Sequence, residues 1–252
     1  KTGKHSGMYI GYLDNIPAGY IHNFKTGEGY KWKSSKTFTP LTHKQQLERN
    51  KQIEHERLAR EAERLRREED VSLKAIAIWE KAKFVTQHPY LRKKNIFSHN
   101  LKIDNRGNLL VPMQDHSGKI WNLQTISQNG IKRFMKGGRK VGTFTTLGNI
   151  NNKDNKEPIF ITEGYATGAT IKEVTGLSTV AAFDSGNLKA VATALKNEYP
   201  NKLIVIAGDN DHHLPQQNVG EIKATEAAKE VKGIVLLPKF NPTDKGTDWN
   251  DL

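Results

Sequence analysis

Apolar and polar positions alternate with period two through residues 7 to 33, as in Met8-Tyr9-Ile10-Gly11-Tyr12 and Gly19-Tyr20-Ile21. Turn residues such as Pro17-Ala18 and Lys25-Thr26-Gly27-Glu28 separate the runs, so we expect a small β-hairpin module over residues 1–41. Its four Tyr and Trp32 suit packing across a small sheet, with stacking on bases as their second use. From Thr42 to Lys83 there is no Gly or Pro, and Glu, Arg, Lys, Gln, Ala and Leu dominate. That composition predicts a long charged helical segment over residues 42–83, as one helix or two in series. Its first part carries sparse apolar residues (Leu47, Ile53, Leu58, Leu65) and reads as a solvated arm. The stripe Leu73, Ile76, Ala77, Trp79 and Ala82 should dock on a domain.

Strand-like runs at 101–104, 109–114, 120–127 and 131–135, separated by Gly-containing turns, predict a basic, β-rich subdomain over residues 84–150. After Asn151 the period changes. Strands at 158–162, 179–183, 203–207 and 234–237 alternate with helical stripes marked by Ala169 to Val174, by Leu188, Val191 and Leu195, and by Ile222, Ala228 and Val231. Alternation of this kind implies right-handed crossovers and a parallel sheet covered on both faces, so residues 151–252 form an α/β domain.

Charge divides the chain at the same place. Of 252 residues, 1–150 hold 28 Lys and Arg against 13 Asp and Glu, and 151–252 hold 11 against 14, with every Arg in the first part. A basic half beside a slightly acidic one suits a surface that holds a polyanion next to a site that needs carboxylates. Zero Cys excludes a disulfide scaffold, a Cys-ligated zinc site and a thiol nucleophile. No apolar run approaches the roughly 20 residues that cross a bilayer, and no signal-type stretch follows Lys1, so a cytoplasmic location with no membrane partner is expected.

In parallel sheets of this kind ligands bind at the carboxyl ends of the strands. Glu163 follows the first strand, Asp184 the second, and Asp209 with Asp211 the third; Asp248 and Asp251 come after the fourth. One Asp at a strand end is commonly a helix cap, but joint placement points to a cation, and oxygen-only donors favour Mg²⁺ or Mn²⁺ over zinc. His212 and His213 read as solvated loop residues. Upstream, Lys132, Arg133, Lys136, Arg139 and Lys140 cluster around Gly137 and Gly138, a candidate edge for binding phosphate. Gly164 and Gly168 do not form a dinucleotide fingerprint, and Lys172 completes no Walker-type loop.

Glu163-Gly164-Tyr165-Ala166-Thr167-Gly168 and Gly208-Asp209-Asn210-Asp211, each after a strand, resemble the two signature motifs of the toprim domain. Within that family the similarity is to plasmid and phage primases of the TraC-like kind, with a DnaG-type catalytic core. ITEGYATGATI, VAAFDSGNL, VIAGDND and the closing TDWNDL carry it, joined upstream by HPYL (88–91), residues 109–126 and GIKRFMKGG (130–138). The resemblance implies a Rossmann-like toprim domain preceded by a small α+β basic subdomain and a long charged helix. It further implies a DNA primase core, a nucleotidyltransferase making short RNA primers on single-stranded DNA from ribonucleoside triphosphates in plasmid or phage replication or conjugation. A replicative helicase, fused or recruited, would be its partner.

By the same resemblance Glu163 assists proton transfer, while Asp209, Asp211, Glu163 and Asp248 hold Mg²⁺ or Mn²⁺. The sequence departs from the family at Thr167, where DnaG-type primases usually carry a second acid, and in having no Cys for the zinc-binding domain many primases use, so that domain lies outside these residues or initiation is selected differently. Two rival readings use the same residues: a metal-dependent toprim nuclease, and a non-catalytic DNA-binding accessory protein.

Overall fold

The structure, a computed structural model of the chain, describes residues 7–12, 16–23, 26–35, 41–150, 156–211, 218–241 and 243–252. His212 and His213 lie outside them. The chain divides into two units, Lys1–Arg60 and Glu61–Leu252.

In the first unit, β1 (Gly7–Tyr12), β2 (Ala18–Asn23) and β3 (Gly29–Lys33) form an antiparallel meander. Opposite residues share a face, so Tyr9, Ile21 and Tyr30 form one row and Gly11, Gly19 and Trp32 the next. No residue of the three strands is buried; the aromatics lie across the sheet surface, Trp32 over Gly19 and Tyr20 stacked on His22.

Helix α1 (His43–Lys81) is one helix, not two in series. Thr42 starts it with a capping box: its hydroxyl accepts the Gln45 N–H at 3.3 Å, and the Gln45 side chain accepts the Thr42 N–H at 2.9 Å. Exposed pairs one turn apart, such as Arg57 with Glu54 at 2.7 Å and Arg60 with Glu56 at 3.8 Å, each add a few tenths of a kcal/mol to a stretch with almost no core contact.

In the second unit the later turns of α1 dock as expected, but not through all the expected residues. Val71, Ser72 and Ala75 are buried, with Ile76, Trp79 and Ala82 beside them, whereas Leu73 and Ala77 face outward. The buried line runs 68, 71, 72, 75, 76 and 79, the i, i+3, i+4 row, and Leu73 and Ala77 fall off it. This row covers a five-stranded antiparallel sheet, β4 (Lys83–Phe84), β5 (Lys102–Ile103), β6 (Leu109–Gln114), β7 (Ile120–Ile126) and β8 (Lys132–Phe134), in sequential order. Helix α2 (Pro89–Lys94) precedes β5; Nδ1 of its N-cap His88 accepts the Tyr90 N–H at 3.1 Å, so Nε2 carries the proton and donates to Gly107 O at 3.0 Å.

A second five-stranded sheet holds β9 (Thr145–Leu147), β10 (Ile159–Thr162), β11 (Thr179–Ala181), β12 (Ile204–Ala207) and β13 (Ile234–Leu236), in the order β13-β12-β10-β11-β9. The four strands expected after residue 151 are parallel; β9, which carries no period-two signal, joins antiparallel at the edge. Helices α4 (Leu188–Glu198) and α5 (Val219–Val231) bury Leu188, Val191, Leu195, Ala224 and Ala228 against Ile159, Ile161, Val180, Ile204 and Ile206 on one face. On the other, α3 (Tyr165–Thr175) packs Tyr165, Ala166 and Ala169 against Leu147 and Ala181, and against Leu109, Val111 and Ile126 of the antiparallel sheet. That shared core fixes β8 and the parallel sheet in one body. Helix α3 starts four residues before the expected Ala169, because Gly164 serves as its N-cap and the first turn is itself buried.

Candidate active site

Strands β11, β10 and β12 are parallel neighbours, so their carboxyl ends lie side by side, and each delivers an acid there. Glu163 directly follows β10, Asp184 lies just beyond β11, and Asp209 comes two residues after β12. Phe183 reaches the rim with φ of 74°, a left-handed conformation that costs of order 1–3 kcal/mol in a residue with a side chain. Its ring meets Phe134 of β8 edge-on at 6.2 Å.

The acids share one electrostatic neighbourhood. Burial first, then the charges of Asp211, Asp184 and Asp248, push the Glu163 carboxyl up to about 7, although the Asp209 N–H bonds it. Burial first, then Glu163, Asp248 and Asp211, push Asp209 up to about 8, opposed by Lys132. Glu163 Oε1 and Asp209 Oδ1 are buried with no hydrogen-bond partner. Among the described residues no three His, Asp or Glu side chains form a ready-made cage for an ion. Buried carboxylate oxygens without partners, repelling one another, are what a hard cation satisfies. The donor set therefore fits a divalent ion of the Mg²⁺ or Mn²⁺ kind, with Asp209 and Glu163 as the best-placed donors and Asp211 and Asp248 close enough to feel their charge.

The five cations of the basic edge divide. Lys132 faces the acids: surrounding protein and Lys94 lower its pKa, while Asp248 and Asp209 raise it. Lys140 pairs with Asp184 at 2.5 Å, and the Asp184 side chain also caps the turn 185–187 by accepting the Asn187 N–H at 3.1 Å. Arg139 instead donates to Val141 O at 3.1 Å and stands 4.9 Å from the Trp121 ring, which Lys119 covers at 3.9 Å. Lys132, Arg133 and Lys136 are all exposed to solvent. The structure thus brings Lys132 and Lys140 to the acidic rim and engages Arg139 with Trp121.

Sequence reasoning missed the residues that hold this rim together. The Asn210 N–H bonds Thr247 O at 2.7 Å and its side chain bonds Pro238 O at 2.9 Å, bringing the C-terminal segment to the strand ends. Asn250 donates to Lys94 O at 2.7 Å and Thr170 Oγ1 at 2.8 Å, while Asp248 Oδ1 accepts the Asn250 N–H at 2.7 Å. Tyr90, buried beside Asp248, has its hydroxyl pushed up to about 12, first by burial and then by that charge. Gly220, in the first turn of α5, lies against the backbone of Asp209: a Cβ there would sit 2.6 Å from Asp209 O. Single Asn and Gly residues carry no periodic signal; Asn210 and Asn250 lie inside the motifs GDND and TDWNDL, but nothing in the sequence marked their role, and Gly220 lies in neither.

Residues 158–252 match the Toprim domain family. Over 96% of its length the chain is 39% identical to a DNA primase TraC of Escherichia coli, and over 97% it is 36% identical to a second E. coli protein of that name. It spans 23% and 17% of the lengths of those two proteins. Among solved structures, the primase fragment of bacteriophage T7 primase-helicase protein aligns over 95% of this chain and 89% of that one, at 12% identity and a TM-score of 0.49. The DnaG primase catalytic domain bound to ssDNA aligns over 73% and 66%, at 13% identity and 0.38.

Proposed function

Because residues 158–252 match the Toprim domain family, we propose that the chain is the catalytic core of a DNA primase, joining ribonucleotides on single-stranded DNA. The observation that carries the reading is the meeting of Glu163, Asp209, Asp211 and Asp248 with Lys132 at one sheet rim. An acidic rim facing a cationic strand suits a nucleoside triphosphate, whose phosphates need cations and whose transfer needs a base. Two E. coli relatives named DNA primase TraC support the same activity, and the plasmid setting of replication or conjugation belongs to this proposal.

Asp209, with Asp211, Asp248 and Glu163 around it, would hold Mg²⁺ or Mn²⁺. When bound, that ion neutralises charge on the triphosphate as the leaving group departs. Glu163, held near pH 7 by burial and its neighbours, is poised to accept the proton of the 3′ hydroxyl as its oxygen attacks the α-phosphorus and pyrophosphate leaves. Lys132 and Lys140 neutralise phosphate at the rim, and Arg133 and Lys136 hold the template backbone farther out. A replicative helicase is the expected partner of such a core.

The test is a de novo reaction on circular single-stranded DNA with labelled ribonucleotides and Mg²⁺. Primers should appear, and Glu163→Gln or Asp209→Asn should lower their yield at least about 100-fold with DNA binding nearly unchanged. Shortened DNA in place of primers would mean the same rim activates water, as in a nuclease. No Mg²⁺-dependent turnover at all would leave a DNA-binding accessory.

A further inference from the structure

The meander of β1, β2 and β3 presents aromatic rings to solvent in an ordered array. On one face Tyr9 is 84% exposed, Tyr30 61% and Ile21 51%, in one row across the three strands, and Trp32, 43% exposed, occupies the next row. Trp32 lies across Gly19, where any side chain would collide with the indole, so the ring is held flat on the sheet rather than upright. On the opposite face Tyr20 stacks on His22 with ring centroids 6.1 Å apart, its hydroxyl 3.2 Å from His22 Nδ1, and Lys31 and Lys33 stand opposite Tyr20 and Ala18. The three strands hold no Asp or Glu; their only charged side chains are those two lysines.

Exposed rings on a rigid sheet lose little conformational entropy when they stack, and cations without acids attract a polyanion. A ligand that offers flat ring faces and a phosphate backbone together is a single-stranded nucleic acid; in a duplex the base faces are already stacked on one another. We infer that this sheet is a stacking platform for single-stranded nucleic acid, with Tyr9, Tyr30 and Trp32 taking bases on one face and Lys31 and Lys33, on the reverse face, adding longer-range attraction for the polyanion. The platform reads ring faces, so its preference among sequences is weak.

The test reads binding by the whole chain without nucleotides, so its result does not depend on whether the rim makes primers. An oligonucleotide carrying 5-iododeoxyuridine should photocross-link to peptides bearing Tyr9, Tyr30 or Trp32, in wild type and in Asp209→Asn alike. Tyr9→Thr and Tyr30→Thr keep strand preference; each should weaken single-strand binding about fivefold or more with the salt slope unchanged, and Tyr30→Phe should restore it. Lys31→Ala with Lys33→Ala should instead flatten the salt dependence by up to about 1.4 units of slope. Cross-links confined to residues 61–252, with Tyr9→Thr and Tyr30→Thr binding as wild type, would overturn the inference. So would a change in self-association on those substitutions with DNA affinity intact, since the face would then belong to a protein contact.

Discussion

At the residue scale the candidate site is a set of carboxyls held against their own chemistry. Glu163 and Asp209 have folded pKa values of about 7 and about 8 against ordinary values of 4.5 and 3.8. The folded chain therefore keeps protons that the unfolded chain has already shed. The sign follows: this contribution to stability is whole below about pH 4 and is lost as pH rises through 7 and 8. In metal-free buffer the thermal midpoint should fall over that window, and Mg²⁺ should raise it more near pH 8.5 than near pH 6, because the donors must be deprotonated to bind. A midpoint that rose between pH 5 and 8 would contradict the burial of these two acids. Gly220 makes a second prediction at this scale. Gly220→Ala must push back the Asp209 carbonyl, so primer synthesis should drop about tenfold or more while the fold, read by circular dichroism, is retained.

At the element scale, strand ends aim the acids and Asn187 ties the elements. Its buried side chain accepts the Gly142 N–H at 2.8 Å and donates to Thr143 O and Ala182 O at 2.8 Å each, stitching the loop after β8 to the end of β11. Asn187→Ala leaves two buried carbonyls and the half-buried Gly142 N–H without this partner and should cost about 3 kcal/mol, seen as a lower urea midpoint at unchanged slope. The parallel strands and helices α3 to α5 were legible because their apolar runs and Gly or Pro stops are strong local signals. Strand β9 was not, because Thr145, Thr146 and Leu147 form a strand only by pairing with β11, a contact that local pattern does not encode. The rim acids were legible through the strand-end rule. Asp184 shows the limit of that rule, since it serves there as a cap and an ion-pair partner of Lys140. Asn210, Asn250 and Gly220 were illegible for the same reason as β9: their partners are distant in sequence.

At the scale of the whole molecule, the charge asymmetry of the sequence maps onto the fold. The antiparallel sheet carries the cations, the parallel sheet carries the acids, and the core around Tyr165, Leu109 and Ile126 locks the two together. Binding of single-stranded DNA should accordingly fall steeply with salt, and neutralising Arg133 and Lys136 together should reduce the slope by about 1.4. Among the described residues no helix is long and apolar enough to cross a membrane. The central claim is that carboxylates far apart in the chain serve one divalent ion. Mn²⁺ binding followed by electron paramagnetic resonance tests it most directly, without reference to turnover. Wild type should hold Mn²⁺ at a site that Asp209→Asn abolishes and Glu163→Gln weakens; equal binding by all three proteins would contradict the account.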